Sequence, residues 1–423
     1  MKKVLHIMLR SMRLCALMLL FVISERICAQ TPIMLLLSPD SAYKQQDGLF
    51  MLHADGAVGS NVLDNHFLKK SFFGGHIERN HIARLKDDMN DQNRAGFVLN
   101  AGLDVLNFRD TMFNHPNWGL RVGLSTNYHA SISFGQDLFS LIYQGNNHFR
   151  NDTANLGPLY YQFQSWQKIG LGFFNKSTLS SLSLSLVEGQ SYQSLMLSDA
   201  GLYTSGQGDS LALFYQGDYW RSDTTKTGPM NGSGMGAAVD LEYNIPLADN
   251  QGVISIAVYD AGFMVWNRMS EHFEFDSLTT WKGVNANDIF TLAGDSLDLP
   301  QLTDTLEYTV KKSAYIAPLP VSIHMRYVRH FGRGNFYEAG LSMWPNKASV
   351  PRVHAGLTHF IHQNLYVSER ITYGGYSRFG LGAEISWMPC GTWLFRLGTN
   401  HIGGFTSGRA YGRDVYFTLA KSF

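Results

Sequence analysis

Along most of this chain, apolar and polar residues alternate one by one. Leu182, Leu184 and Leu186 are separated by Ser183 and Ser185, and Ile323, Met325 and Tyr327 follow Val321 between Ser322, His324 and Arg326. Leu381, Ala383, Ile385 and Trp387 alternate with Gly382, Glu384 and Ser386, as do Ala237, Val239, Leu241 and Tyr243 with Gly236, Ala238, Asp240 and Glu242. A period of two sends the two sets to opposite faces of a sheet. One face is apolar; the other carries glycine, serine and charge. The final stretch keeps the pattern, with Val415, Phe417 and Leu419 leading to Phe423. Such segments recur often enough to predict an all-β fold, a closed antiparallel barrel of about fourteen strands within a range of twelve to sixteen. An exported soluble β-sandwich alternates too and remains the competing fold.

Two segments break the rhythm. Over residues 136–143, Leu138, Leu141 and Ile142 have helical spacing and Gly145 is a suitable stop, so a short helix is expected there. Helical backbone satisfies its own hydrogen bonds, so Leu138, Leu141, Ile142, Gly145 and Asn146 are expected to form a plug or rim that narrows the barrel, with a helix on the periplasmic surface as the alternative. Residues 269–307 carry eight carboxylates, from Glu271 to Glu307, against Lys282 as the basic residue, and read as a long loop on the outside. Gly170, Gly172, Asp240, Glu242, Gly382 and Glu384 fall on the polar face and are the candidate lumen-facing residues. The inward glycines have two readings, space in a lumen or relief of strain as strands coil.

The amino terminus sharpens the location. Lys2, Lys3, Arg10 and Arg13 precede the apolar stretch Leu14 to Ile23, and Ile27-Cys28-Ala29 resembles a cleavage site. That stretch is too short for a membrane span and suits an export signal over residues 1–29, leaving 30–423 as a single barrel domain. Glu25-Arg26-Ile27 is poor chemistry for a lipidation signal at Cys28. With the signal removed, Cys390 is the one remaining thiol, which excludes a disulfide within the chain and a cysteine-built metal cluster. Lys plus Arg and Asp plus Glu are equal at 34 each, which gives no sign of a nucleic-acid partner. The 41 glycines and 13% aromatic content suit many strands and tight turns.

Little in the chain looks catalytic. His354 and His359 differ by an odd number and face opposite ways on a strand, while His359 and His362 lie near a turn, so neither pair is a convincing metal site. Ser322 and His324 share a face but lie about 7 Å apart along a strand, too far to activate the serine. No Gly-x-Ser-x-Gly elbow is present, and Asp240 and Glu242 are explained by a charged lumen wall. The acidic loop lacks the spacing of a calcium site. Trp118, Trp166, Trp220, Trp266, Trp344, Trp387 and Trp393 are expected at the membrane surfaces, where barrels place aromatic girdles. The expectation is a non-enzymatic protein with no cofactor.

Two short elements carry a family resemblance: Leu138-Phe139-Ser140-Leu141-Ile142-Tyr143-Gln144-Gly145-Asn146-Asn147-His148-Phe149, and Val258-Tyr259-Asp260-Ala261-Gly262-Phe263-Met264-Val265-Trp266. The first resembles a helix followed by Gly-Asn-x-x-Phe, the second a strand followed by Asp-x-Gly-Phe-x-x-Trp, and Pro318-Leu319-Pro320 leads into the next strand in the same way. These are similar to elements of an outer-membrane barrel family of unknown function, itself loosely similar to FadL-type transporters of hydrophobic compounds and to PorV/PorP-type barrels of type IX secretion. The resemblance implies an outer-membrane location, contact with membrane lipid and with barrel-assembly machinery, and Phe423 as assembly signal, although Lys421 stands where that signal prefers an apolar residue. For function it implies binding or passage of a small hydrophobic molecule, or else a structural docking barrel for a secreted or surface protein.

Overall fold

The computed structural model describes residues 47–109, 114–226, 231–249, 251–282, 308–332, 334–362, 364–389 and 392–423. The proposed signal, Cys28, Cys390 and the 283–307 part of the acidic segment lie outside the described residues. Nineteen strands join in one antiparallel sheet. Fourteen of them close a ring: β1 (Gly48–Ser60), β2 (Gln92–Asn107), β3 (Trp118–Gly135), β5 (Leu159–Asn175), β6 (Ser181–Thr204), β8 (Gly234–Pro246), β9 (Gly252–Trp266), β13 (Ser322–Phe331), β14 (Asn335–Met343), β15 (Val350–His362), β16 (Leu365–Gly375), β17 (Phe379–Trp387), β18 (Trp393–Thr399) and β19 (Gly412–Ser422). Closure runs through β1 and β19, from Leu49 opposite Ser422 to Gly59 opposite Gly412. The ring has no open edge, so every strand in it has two hydrogen-bonded neighbours.

Alternation along each strand follows from the closed ring. Ser181, Ser183, Ser185 and Val187 of β6 are buried inside, while Leu182, Leu184 and Leu186 point outward and are exposed. The ends of the ring differ. At the end holding Gly48 and Phe423 the chain turns over a few residues, as at 176–180; at the other end it makes long excursions, such as 61–91 and 136–158. Phe423 is tied down at the short-turn end, its backbone exchanging hydrogen bonds with Gly48 while its ring lies over that glycine.

Inward side chains form layers. Leu49, Met51, Phe174, Val328, Phe336 and Leu394 belong to an apolar cluster at the short-turn end. Charged and polar groups occupy the middle, and aromatic groups return toward the long-loop end. There, helices α1 (Asn65–Phe73), α2 (Arg79–Asp87) and α3 (Gln136–Gln144) share an apolar core of Val62, Phe67, Leu68, Leu85 and Phe139. Asp64 caps α1 by accepting from the Phe67 amide at 2.9 Å, and also takes hydrogen bonds from Arg84 and His81.

Five shorter or outlying strands lie beyond the ring: β4 (Asp152–Asn155), β7 (Ser210–Arg221), β10 (Glu271–Lys282), β11 (Tyr308–Lys312) and β12 (Tyr315–Pro318). β6 pairs with β8 only from Ser181 to Gly189, then from Gln193 changes partner to β7. β7 in turn pairs with β10 along its whole length, and β10 with β11, so the wall forks into a blade beyond the ring. This corrects the expected loop over 269–307, since its first part is strand. Its apolar residues are sparse, and two of them, Phe273 and Phe275, pack on Tyr219 and Tyr215 across the pair.

A second correction concerns tryptophan. Trp166, Trp266 and Trp344 are buried within the fold rather than placed in a girdle. Trp118, Trp387 and Trp393 do face outward at the short-turn end, in contact with Phe173 and Phe395. Parity separates the two groups, because Trp166 and Trp266 occupy inward positions of β5 and β9.

Candidate functional site

In the middle layer, one lysine is held between two carboxylates. Lys168 on β5 faces inward, and its Nζ donates to Asp240 at 2.7 and 2.9 Å and to Asp260 at 2.7 Å. A bulge makes this possible. β8 and β9 pair Val239 with Ala261 but Leu241 with Val258, so Tyr259 and Asp260 together oppose Asp240. Asp260 takes the left-handed conformation, φ 57°, and its amide donates to Asp240 Oδ1 at 2.8 Å. An aspartate tolerates that backbone better than most residues.

Around this clamp, Arg121 Nε donates to Asp104 at 2.9 Å and Tyr259 donates to Glu242 at 3.2 Å. A void of about 50 Å³ lies among Arg121, Asp104, Lys168, Asp240, Gly170 and Ser185. That is room for very few waters. Gly170 borders it because a Cβ there would stand 2.7 Å from Ser185 Oγ.

Opposite, on β14 to β19, Glu384 accepts from Arg396 and Tyr416, both at 2.7 Å, and Arg370 bonds Glu338. Gly382 is equally crowded, with a Cβ placed 2.7 Å from the Thr399 carbonyl. Inward charges of both signs line the two sides of the lumen. On β1 to β9 the acids Asp55, Asp104, Asp240, Glu242 and Asp260 stand with Arg121 and Lys168; on β13 to β19 the arginines Arg326, Arg352, Arg370 and Arg396 stand with Glu338, Glu384 and Asp414. Acids are in excess on the first side and arginines on the second, which biases the field across the lumen.

Toward the long-loop end, aromatic side chains cluster where the wall forks. Tyr192, Trp266, Tyr315 and Trp220 lie with ring centroids 4.5 to 6.4 Å apart, and Trp220 stacks on His272 at 3.7 Å. Trp166, Val187 and Met264 complete the apolar surface beneath. Trp266 has space because the paired glycines Gly189 and Gly234 lie under it; a Cβ on either would stand 2.7 or 2.9 Å from its ring. Trp220 and Tyr315 remain partly accessible.

The fork is bridged by small polar residues. Tyr192 and Ser222 exchange hydrogen bonds, the Ser233 amide donates to the Gly189 carbonyl, and Asn267 Nδ2 donates to Asp223 at 3.1 Å. The Thr225 hydroxyl at 2.6 Å is the main cause that holds the Asp223 carboxyl below the usual range, assisted by Asn267. A folded-state pKa below the unfolded one gives stabilisation that is present near neutral pH and is lost as pH falls through the depressed value. Backbone amides of 222–225 and 267–270 are therefore expected to keep their hydrogen-exchange protection near pH 7 and to lose it below about pH 4, before the ring strands do. Equal loss across fork and ring would contradict this.

The other residues singled out in the sequence scatter. Helix α3 stands at the long-loop end, where Leu138 packs on the helical core, Leu141 contacts Phe149 and Ala154, and Asn146 is buried. Ile142 is 57% exposed, and Gly145 adopts φ 81° at the helix stop. His354 is buried inside, whereas His359 points outward beside Glu369 at 3.6 Å. Ser322 and His324 both face inward, the histidine against Tyr259. Among the described residues no cluster of three or more His, Cys, Asp or Glu side chains has the geometry to hold a metal ion. Lys168, Arg121 and the Gly189–Gly234 seat escape a reading of the sequence, although the inward parity of Trp166, Lys168, Gly170 and Gly172 on β5 is a signal that exposes the lysine.

No curated protein matches the sequence. Among solved structures, the Pseudomonas putida toluene transporter TodX superimposes with a TM-score of 0.42 at 10% identity, covering 93% of this chain and 95% of that one. The Ralstonia pickettii toluene transporter TbuX gives 0.40 at 10% identity over 89% and 90%. The β-domain of the Bordetella autotransporter BrkA gives 0.33 at 8% identity over 89% and 100%. The likeness is one of barrel architecture. A sequence-family model described as a family of unknown function, DUF5723, matches residues 174–395, over half of the protein and from the end of β5 into β18, and the chain belongs to that family.

Proposed function

We propose that this protein is an outer-membrane barrel that captures a small, predominantly hydrophobic molecule at its long-loop mouth. The observation that carries the proposal is the aromatic cluster of Tyr192, Trp220, Trp266 and Tyr315, of which Trp220 and Tyr315 stand partly accessible above a charged belt. Aromatic faces favour flat or apolar bodies. The charged belt below suits a ligand with a polar end and resists a purely apolar one. Passage beyond the mouth requires the belt around the 50 Å³ void to open. The outward leucines of β6 face membrane lipid, and Phe423 at the closing strand serves barrel assembly.

Removing Trp220, whose ring stacks on His272 and meets Tyr315 at 4.5 Å, is expected to weaken binding of a monoaromatic probe to the purified barrel by about tenfold. Equilibrium titration of wild type and Trp220→Ala reads this, with liposome uptake measured alongside. Unchanged affinity in the variant would remove the mouth from the proposal.

A second reading, a docking barrel for a secreted or surface protein, is favoured by the blade of β7, β10 and β11, which stands beyond the ring. A deletion strain tested for both hydrophobic-compound uptake and retention of secreted proteins separates the two. Normal uptake, together with a stoichiometric secretion partner on pull-down, selects docking.

A further inference from the structure

The long-loop rim carries basic side chains that the lumen does not use. On α1 the exposed face presents His66, Lys69, Lys70 and Phe73, spaced one helical turn apart, with Phe73 61% exposed. The loop before β19 lies against this helix: the His66 amide donates to the Gly408 carbonyl and the Asn65 amide to Ala410, both at 2.8 Å. That loop adds Arg409 and the short helix α4 (Gly403–Thr406), whose Phe405 is 47% exposed. Arg413 shares the outward face of β19 with Val415 and Phe417, and its guanidinium lies 4.8 Å above the Phe405 ring.

Lys69, Lys70, Arg409 and Arg413 form no ion pair among the described residues, and Arg413 Nε is buried without a hydrogen-bond partner. The neighbouring acids are already engaged, Asp64 by Arg84 and His81, and Asp88 by Tyr411. Beside the cations, the Ile402 amide donates to the Leu381 carbonyl, so exposed Ile402 and Phe405 continue the outward apolar surface of Leu381 and Phe379. Cations at the upper border of an apolar wall, interleaved with exposed rings, match the border between acyl chains and headgroups.

We propose that this rim is a binding site for the phosphate-bearing headgroup of a membrane lipid, with Lys69, Lys70, Arg409 and Arg413 on the phosphates and Phe73, Ile402 and Phe405 against the acyl chains. The proposal rests on the membrane location of the barrel but not on the captured molecule. Charge complementarity selects the lipid: an apolar chain alone would leave four cations unmatched, and a soluble anion would leave three apolar side chains exposed.

The test uses the full-length purified barrel in phosphatidylcholine nanodiscs doped with a bis-phosphorylated glycolipid of the lipid A type, with retained lipid read by native mass spectrometry. Wild type is expected to retain the glycolipid. Lys69→Gln with Lys70→Gln, and separately Arg409→Gln with Arg413→Gln, should each weaken retention by roughly tenfold or more. Lys311→Gln with Lys312→Gln, on the blade, should leave it unchanged. Lys69 is exposed and Lys70 half-buried on a helix beyond the ring strands, and unchanged migration of the unheated barrel on a gel separates loss of retention from unfolding. Equal retention by both pairs and wild type, or of the dephosphorylated glycolipid, overturns the proposal. Displacement by millimolar inorganic phosphate assigns the cations to a free anion and overturns the lipid. Monoaromatic-probe binding should persist in these variants, so failure here and failure of the mouth are read separately.

Discussion

Replacement of Lys168 by methionine is expected to destabilise the barrel by about 3–5 kcal/mol, the range found when one partner of a buried ion pair is removed. The ammonium is shared by Asp240 and Asp260, and the Asp260 side chain is fully buried. Methionine keeps the volume but leaves two carboxylates facing each other with no cation between them. The Asp260 amide would still donate to Asp240, which accounts for only one of the acceptors. Adding Asp240→Asn and Asp260→Asn to the methionine variant should restore most of the loss, because neutral amides of the same shape no longer require a charge. Urea unfolding of the purified barrel, followed by tryptophan fluorescence, measures all three proteins. A methionine variant within about 0.5 kcal/mol of wild type would show that the clamp is solvated and stabilises little.

The clamp also marks the limit of what the sequence discloses. Alternation as in Leu182 to Leu186 and Leu381 to Trp387, repeated along the chain, reads as many strands with one apolar face and a strand number near fourteen. The export signal and Phe423 tip that reading to a closed barrel over a soluble sandwich, which alternates too. The same parity places Gly170, Gly172, Asp240, Glu242, Gly382 and Glu384 on one face of their strands. It does not say which strands become neighbours around the ring, so the meeting of Lys168 with residues 72 and 92 positions away is invisible to it. The fork is hidden for a related reason: β6 reads as one continuous strand, and nothing local to Gly189 shows that its partner changes there. Tryptophan misleads because composition suggests girdles, while burial depends on parity. At Trp166 and Trp266 the parity is inward, and glycines across the sheet make room.

Those glycines separate two kinds of position, and the contrast leads to the second large effect. At Gly262, a Cβ would stand 2.0 Å from the Ala237 carbonyl oxygen and 2.7 Å from Ala238 Cα, both backbone atoms of β8. Backbone in a closed ring cannot move aside without parting β8 from β9, the pair that sets the bulge at Asp260. Gly262→Val is therefore expected to lower stability by more than about 3 kcal/mol, or to prevent formation of the heat-modifiable barrel. Gly170→Ala meets only the Ser185 hydroxyl, which can rotate, and should change stability by less than about 1 kcal/mol. Trp266→Ala empties the space over Gly189 and Gly234, and the loss of a fully buried indole should be about 3–5 kcal/mol. The three variants thus rank by what the added or missing atoms encounter, rather than by how far they lie from the lumen. The ranking is read from urea midpoints and from the fraction of protein that migrates as folded barrel before heating. A Gly262→Val barrel as stable as Gly170→Ala would mean that β8 and β9 can separate locally. In that case the wall beside the fork yields easily, and the aromatic mouth could open sideways through it.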